Sequence, residues 1–126
     1  MYTFKKEERL CNKRLISGLY HNSSSFLCYP FKVVWAQANT GQVPAQIVFN
    51  VAKRRYKHAV DRNLITRRMR EAYRLHKQQL LYNYLLAANK QIAISVNYIG
   101  TDIVDYATIE KKMIKLLMQL CDQVNK

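Results

Sequence analysis

Ten cations crowd into residues 53–77: Lys53, Arg54, Arg55, Lys57, Arg62, Arg67, Arg68, Arg70, Arg74 and Lys77. Only Asp61 and Glu71 oppose them, so ten cations less two anions leave this segment +8 of the whole chain's +13. Charge concentrated in this way attracts a polyanion, and with nucleic acid the attraction is driven by counterion release. Arginine prevails over lysine here, and its planar fork matches phosphate oxygens and base edges. Asn63 lies among them near the start of a predicted helix. It either caps that helix or bonds to the loop before it, or it joins the free backbone N–H groups there in receiving a phosphate.

Chemistry by the chain itself is harder to assemble. Metal-dependent cutting of RNA needs clustered carboxylates, whereas the eight Asp and Glu are scattered. Asp102 and Asp105 are the nearest pair in a loop, and they are placed to cap the last helix. Metal-free cutting needs two histidines in one site, and the spacing of His21, His58 and His76 demands no such pair. His76 falls on a buried helix face, and His58 lies in the basic loop, where a phosphate contact suits it. Cys11, Cys28 and Cys121 form no C-x-x-C pair, so free thiols in a reducing compartment are expected, not a zinc knuckle or a redox motif. No cofactor or metal is expected on the protein. The chain shows no lipidation pattern, no apolar run long enough to span a bilayer, and no apolar stretch after MYTFKKEERL. A cytoplasmic location without membrane attachment is the expectation.

The elements that must position these groups fit one domain, residues 1–126, in which nearly half the residues are apolar. Asn12 can cap a short helix with Leu15, Ile16, Leu19 and Tyr20 on one side, ended by the polar residues 21–25. Residues 26–38 read as a strand, with Phe31, Val33 and Trp35 on one face and Lys32 and Val34 on the other. Pro30 within it suggests an edge or a bulge. A turn at residues 39–42 leads to a second strand, residues 43–52, expected to pair with the first as a hairpin. A long helix follows, roughly residues 59–88, with Ile65, Met69, Ala72, Tyr73, His76 and Leu80 on its packed face. At 100° per residue from Ile65 these fall between about −20° and 80°, and Arg67, Arg70, Arg74 and Lys77 between about 120° and 200°. The adjoining face thus presents three guanidinium groups and an ammonium. Residues 91–98 alternate as a third long strand. Ile109, Met113, Leu116, Leu117, Leu120, Cys121 and Val124 mark a closing amphipathic helix. The order helix, two or three strands, helix, strand, helix is that of an α+β fold with three helices on a small mixed sheet.

The stretch from Val51 to Arg74 resembles the signature of the protein subunit of bacterial ribonuclease P. A Val51-Ala52-Lys53-Arg54 strand end runs into a basic loop and then into Arg62-Asn63-Leu64-Ile65-Thr66-Arg67-Arg68-Met69-Arg70-Glu71. Arg9-Leu10, followed by Ile16 and Tyr20, is similar to that family's opening helix. Leu64 and Thr66 depart from the pattern, standing where the family usually has Arg and Lys. The resemblance implies a non-catalytic subunit of an endoribonuclease whose RNA, with bound magnesium, removes the 5′ leader of precursor tRNA. It implies a fold like that of a ribosomal protein domain, with an unusual left-handed β-α-β crossover. It also implies that the long helix and its preceding loop contact the catalytic RNA, through Lys53, Arg54, Arg55, Lys57, Arg62, Asn63, Arg67, Arg68, Arg70 and Arg74. A cleft between the first helix and the sheet would hold the leader, with Ile16, Tyr20, Phe31 and Trp35 as matching positions. Stacking of leader bases there would be sequence-tolerant, although Phe31 serves equally well as core. Precursor tRNA and the catalytic RNA are the implied partners, and no obligate protein partner is expected. A ribosomal or assembly protein that binds RNA without a part in cleavage is the rival reading.

Overall fold

The structure is a computed structural model that describes residues 4–10 and 23–125. The expected first helix, with Asn12, Leu15, Ile16, Leu19 and Tyr20, lies outside the described residues, as does Cys11.

Four strands form one sheet in the order β1-β2-β4-β3, where β1 is Ser24–Cys28, β2 Phe31–Gln37, β3 Ala45–Val51 and β4 Ile92–Tyr98. Six of the seven residues of β4 are buried. A strand buried on both faces belongs in the interior of a sheet, and β4 accordingly separates β2 from β3. This corrects the expected hairpin: β2 pairs antiparallel with β4, and β3 pairs parallel with it. The turn at residues 39–42 is present, but it joins strands that are not neighbours. Gly41 there has φ +79, the left-handed region that glycine enters without strain. Gln91, just ahead of β4, fastens the turn by accepting from Thr40 N and donating to Gly41 O.

Residues 26–38 form two strands instead of one. Tyr29 and Pro30, joined by a cis peptide bond, make the turn between β1 and β2, and Cys28 faces Phe31 across it. Proline has no N–H for a ladder, so the chain reverses there. Ser24 and Ser25, expected in the polar break over residues 21–25, belong to β1.

The helical layer comprises α1 (Ala59–Lys77), a π turn (Gln78–Tyr82), α2 (Asn83–Ala88) and α3 (Tyr106–Val124). Ile65, Met69, Ala72 and Tyr73 are fully buried as their spacing requires. The π turn then adds a residue to the ladder and rotates the packed face. Leu81, Tyr82 and Leu85 point inward, while Leu80 and His76 are only half-buried. On α3 Ile109, Met113, Leu116, Leu117, Leu120 and Val124 are buried, and Cys121 is half-buried. Asp105 caps this helix, its Oδ1 accepting from Thr108 N at 2.9 Å. That bond holds the Asp105 carboxyl below the usual range.

Residues 4–10 wrap around the outer edge of β3. Arg9 bridges Ile47 in parallel, and Leu10 N donates to Ile47 O at 2.9 Å. Covering a sheet edge blocks unwanted strand pairing. Phe4 lies on the helical side, edge-on to Phe49 and Tyr73. Glu8, in a short 3₁₀ turn, is buried against Lys77 and Tyr82, whose ammonium and hydroxyl both donate to its Oε1. Lys77 also lies 5.2–5.9 Å from the ring centroids of Phe4, Tyr73 and Tyr82.

Candidate nucleic-acid interface

The period-two alternation of β2, β3 and β4 sorts their side chains onto two faces. Phe31, Val33 and Trp35 pair with Tyr98, Val96 and Ile94 and lie under the helices in the main core. Phe31 is fully buried with its ring 6.1 Å from that of Tyr98, and Trp35 is 8% exposed. Both are therefore core residues, which corrects their placement in a leader-binding cleft; Ile16 and Tyr20 lie outside the described residues. The second face, which α1, α2 and α3 do not cover, carries three cross-sheet rows. They are Ala36–Ala93–Gln46, Val34–Ser95–Val48 and Lys32–Asn97–Asn50. Leu10 packs on the apolar end of this face beside Ala93. Lys32 and Val34 fall on it by the same alternation that puts Phe31 inside. Asn50, Ser95 and Asn97 escaped notice in the sequence, where only the order of the strands could have aligned them.

The basic segment separates into groups that face outward and groups that hold the fold. Lys53, Arg54, Arg55 and Lys57 are exposed in the loop before α1, although Arg55 Nη1 also donates to Ile99 O at 3.3 Å. Arg67 and Arg70 are exposed on α1, one turn apart. They border a groove that also includes Asn63, Thr66, Arg74 and the ring of Phe4. Asn63 is exposed within the helix, so it is not the cap; His58 occupies that position.

Arg62, Arg68 and Arg74 have structural partners. Arg62 Nη1 donates to Tyr56 O and Lys57 O, each at 2.8 Å, and so clamps the basic loop to the first turn of α1. Arg68 turns the other way and donates to Val104 O at 2.6 Å, ahead of α3. Arg74 pairs with Glu71. Lys77 is the clear correction: the helical face expected to present its ammonium is covered there by residues 4–10, and Lys77 is 2% exposed. Burial acts against the ionised Glu8 beside it. Hydrogen bonds from Lys77, Lys5 N and Tyr82 outweigh burial and hold the Glu8 carboxyl below the usual range. Burial drives the Tyr82 phenol far upward, so it remains a donor to Glu8.

Tyr56, unremarked in the sequence among four neighbouring cations, anchors the loop. Its ring is buried 6.0 Å from that of Tyr98, and its hydroxyl donates to Gly100 O at 2.7 Å. Gly100 fits because a Cβ there would come within 2.9 Å of Tyr98 Oη. Tyr56→Phe strands the buried Gly100 carbonyl and is expected to cost about 1–3 kcal/mol. Urea denaturation measures that loss, which should be accompanied by weaker RNA binding as the loop loosens.

Among the described residues no group of three or more His, Cys, Asp and Glu is placed to hold a metal ion, and no helix is long and apolar enough to cross a membrane. His76 Nε2 lies 2.9 Å from Glu110 Oε2, between α1 and α3, whereas His58 is exposed at the start of α1. The two histidines thus belong to different parts of the surface.

The model of the ribonuclease P family matches residues 4–121 of the chain. The chain is 31% identical to the ribonuclease P protein component of Porphyromonas gingivalis over 98% of its own length and 90% of that relative. It is also 31% identical to the corresponding protein of Petrotoga mobilis, over 94% of this chain and 95% of that one. Among solved structures, the RNase P protein of Thermotoga maritima superposes with a TM-score of 0.70. The match has 22% identity and covers 89% of this chain and 96% of that one. The Staphylococcus aureus RNase P protein gives a TM-score of 0.66 at 18% identity, over 90% and 94% of the two chains.

Proposed function

The chain belongs to the ribonuclease P protein family, and we propose that, as the protein subunit of that endoribonuclease, it grips two RNAs on two different surfaces. The catalytic RNA takes the outward-facing groups of the basic segment: Lys53, Arg54, Arg55, Lys57, Asn63, Arg67 and Arg70. Arg62, Arg68 and Arg74 support that surface by holding the loop and the helix in place. The single-stranded 5′ leader of precursor tRNA takes the second face of the sheet, where Val34 and Val48 offer apolar contact and Lys32 a phosphate partner. The observation that carries this reading is the sorting of the basic segment. The cations left facing outward are contiguous from the end of β3 onto α1, and an RNA backbone can track along them.

Hydrolysis of the leader is assigned to the RNA. Magnesium held by its phosphates, which are hard oxygen ligands, would supply the activated water. The protein's own contribution is to hold the leader and to neutralise phosphate charge where the two RNAs approach, which matters most when magnesium is scarce.

Cleavage of a precursor tRNA at low magnesium tests this directly, with the cognate catalytic RNA alone, the protein alone, and the two combined. Activity restricted to the mixture, with a mature 5′ end, is the expected result. Cutting by the protein alone overturns the assignment of the chemistry to RNA. No enhancement in the mixture overturns the assisting role.

A further inference from the structure

Aromatic side chains in this molecule are kept from water, with one exception. Among the described residues every other Phe, Tyr and Trp is buried or half-buried, whereas Tyr29, in the turn between β1 and β2, is 59% exposed. A ring left in water forgoes the free energy of burial, and a partner that covers it recovers that term.

The turn is fastened to the basic surface. Tyr29 Oη accepts from Thr101 N at 3.4 Å, and Ile99 N donates to Pro30 O at 2.8 Å, which ties the turn to residues 99–105 between β4 and α3. The basic loop is tied to the same residues. Arg55 Nη1 donates to Ile99 O and the Tyr56 hydroxyl to Gly100 O, while Arg68 of α1 donates to Val104 O. One short segment thus carries the exposed ring at one edge and the loop of cations at the other.

The charges beside the ring decide which part of an RNA would meet it. Arg55 is exposed on the side of the basic loop, and Asp102 is exposed within the segment that holds the ring. A phosphate gains from the first and is repelled by the second. A base carries no charge, and every base has a flat face that an aromatic ring can stack on. The hydroxyl edge of Tyr29 is already anchored, so less freedom is lost when a base covers it.

We propose that Tyr29 is a stacking platform for an unpaired base of the catalytic RNA, placed where the surface of the basic loop ends. The inference rests on the catalytic RNA lying along that loop, as proposed for this subunit. Cations hold the backbone, and the ring takes a base next to it.

The test measures binding of the cognate catalytic RNA to the full-length protein over a range of potassium chloride. Tyr29→Ala should weaken binding by about tenfold, the worth of one stacked base. The slope of log K against log salt should match the parent's, because no phosphate contact is lost. Tyr29→Phe keeps the ring and should retain most of the affinity. Tyr29→Leu keeps apolar bulk without a flat face and should bind nearly as weakly as the alanine variant. A spectroscopic arm reads stacking directly. Tyr29→Trp introduces an exposed indole whose fluorescence should fall when the catalytic RNA is added. The parent, whose one tryptophan is the buried Trp35, is the blank.

Unchanged affinity in Tyr29→Ala, an equal loss in Tyr29→Phe, a shallower salt slope, or an unquenched indole would each overturn the proposal. So would a loss confined to binding of precursor tRNA by the holoenzyme, which would give the ring to the substrate. Replacing both Arg67 and Arg70 by alanine separates these failures from that of the premise. If that variant loses affinity and Tyr29→Ala does not, stacking alone is defeated. If it binds as the parent does, the catalytic RNA does not lie on the basic surface and the proposal falls with it.

Discussion

Replacing Arg67 and Arg70 together by alanine is expected to weaken binding of the catalytic RNA by about tenfold for each guanidinium removed, or about a hundredfold in all at low salt. The same change should flatten the salt dependence. If both arginines neutralise duplex phosphates, the slope of log K against log salt becomes shallower by about 1.8, and by about 1.4 if the strand is single. Filter binding over a range of potassium chloride reads both quantities at once. The free protein should move in the opposite sense. Arg67 and Arg70 are like charges one turn apart on α1, and their removal relieves about 0.2–0.5 kcal/mol of repulsion. A variant that binds RNA poorly yet melts no lower than its parent identifies a contact surface, not a damaged fold. Lys111→Ala, which removes an exposed cation on α3, should leave the affinity and the slope as they were. An unchanged slope in the double variant would mean that the exposed side of α1 is not where the RNA lies.

The second large effect belongs to the interior. Glu8→Leu strips the buried Lys77 ammonium of its carboxylate, and breaking a buried pair from one side costs about 3–5 kcal/mol. Folding stability is only about 5–15 kcal/mol for a domain, so the variant should be close to unfolding at physiological temperature. Replacing both partners, Glu8→Leu with Lys77→Met, leaves no uncompensated charge and should recover most of the loss. Denaturant titration of the two single variants and the double completes the cycle. The pH dependence follows from the lowered Glu8 carboxyl. Between the folded value and the unfolded one, near about 4.3, the unfolded chain binds the extra proton, so stability rises with pH across that window. The contribution is complete above the unfolded value and is lost as pH falls through the folded one. Glu8→Gln should flatten that acid limb; a limb as steep as the parent's would place the titrating group elsewhere.

Much of this molecule was legible in the residues, and the misreadings have one source. Helix α3 follows from its apolar spacing because its packed face depends on its own residues alone. Ile65, Met69, Ala72 and Tyr73 follow for the same reason. Errors begin where an answer depends on what lies alongside. Alternation in β2 and β3 identifies two strands but contains nothing about β4 coming between them. It likewise separates Phe31 from Lys32 without saying which side the helices cover, so nothing local shows that Phe31 and Trp35 belong to the core. Helical angles put Lys77 at the border of the basic face, but its partner Glu8 is 69 residues away in sequence, beyond the reach of any local pattern. The π turn has no local signature either, so the inward rotation to Leu81 and Tyr82 was missed. Within the basic segment, counting charges points to a polyanion. It could not show that Arg62 and Arg68 spend their guanidinium groups on backbone carbonyls.

The strap of residues 4–10 has a consequence for how the chain is made. It leaves the ribosome before everything it docks on: Ile47, then Tyr73, Lys77 and Tyr82. Contacts of such long sequence separation are slow to form, and domains are completed only as their last segments emerge. Until α1 has been synthesised, the acidic group of Glu8 and the outer edge of β3 are both uncovered. A segment made before its docking sites is thus among the last to settle, and its closure marks the completion of a domain whose basic surface then faces outward.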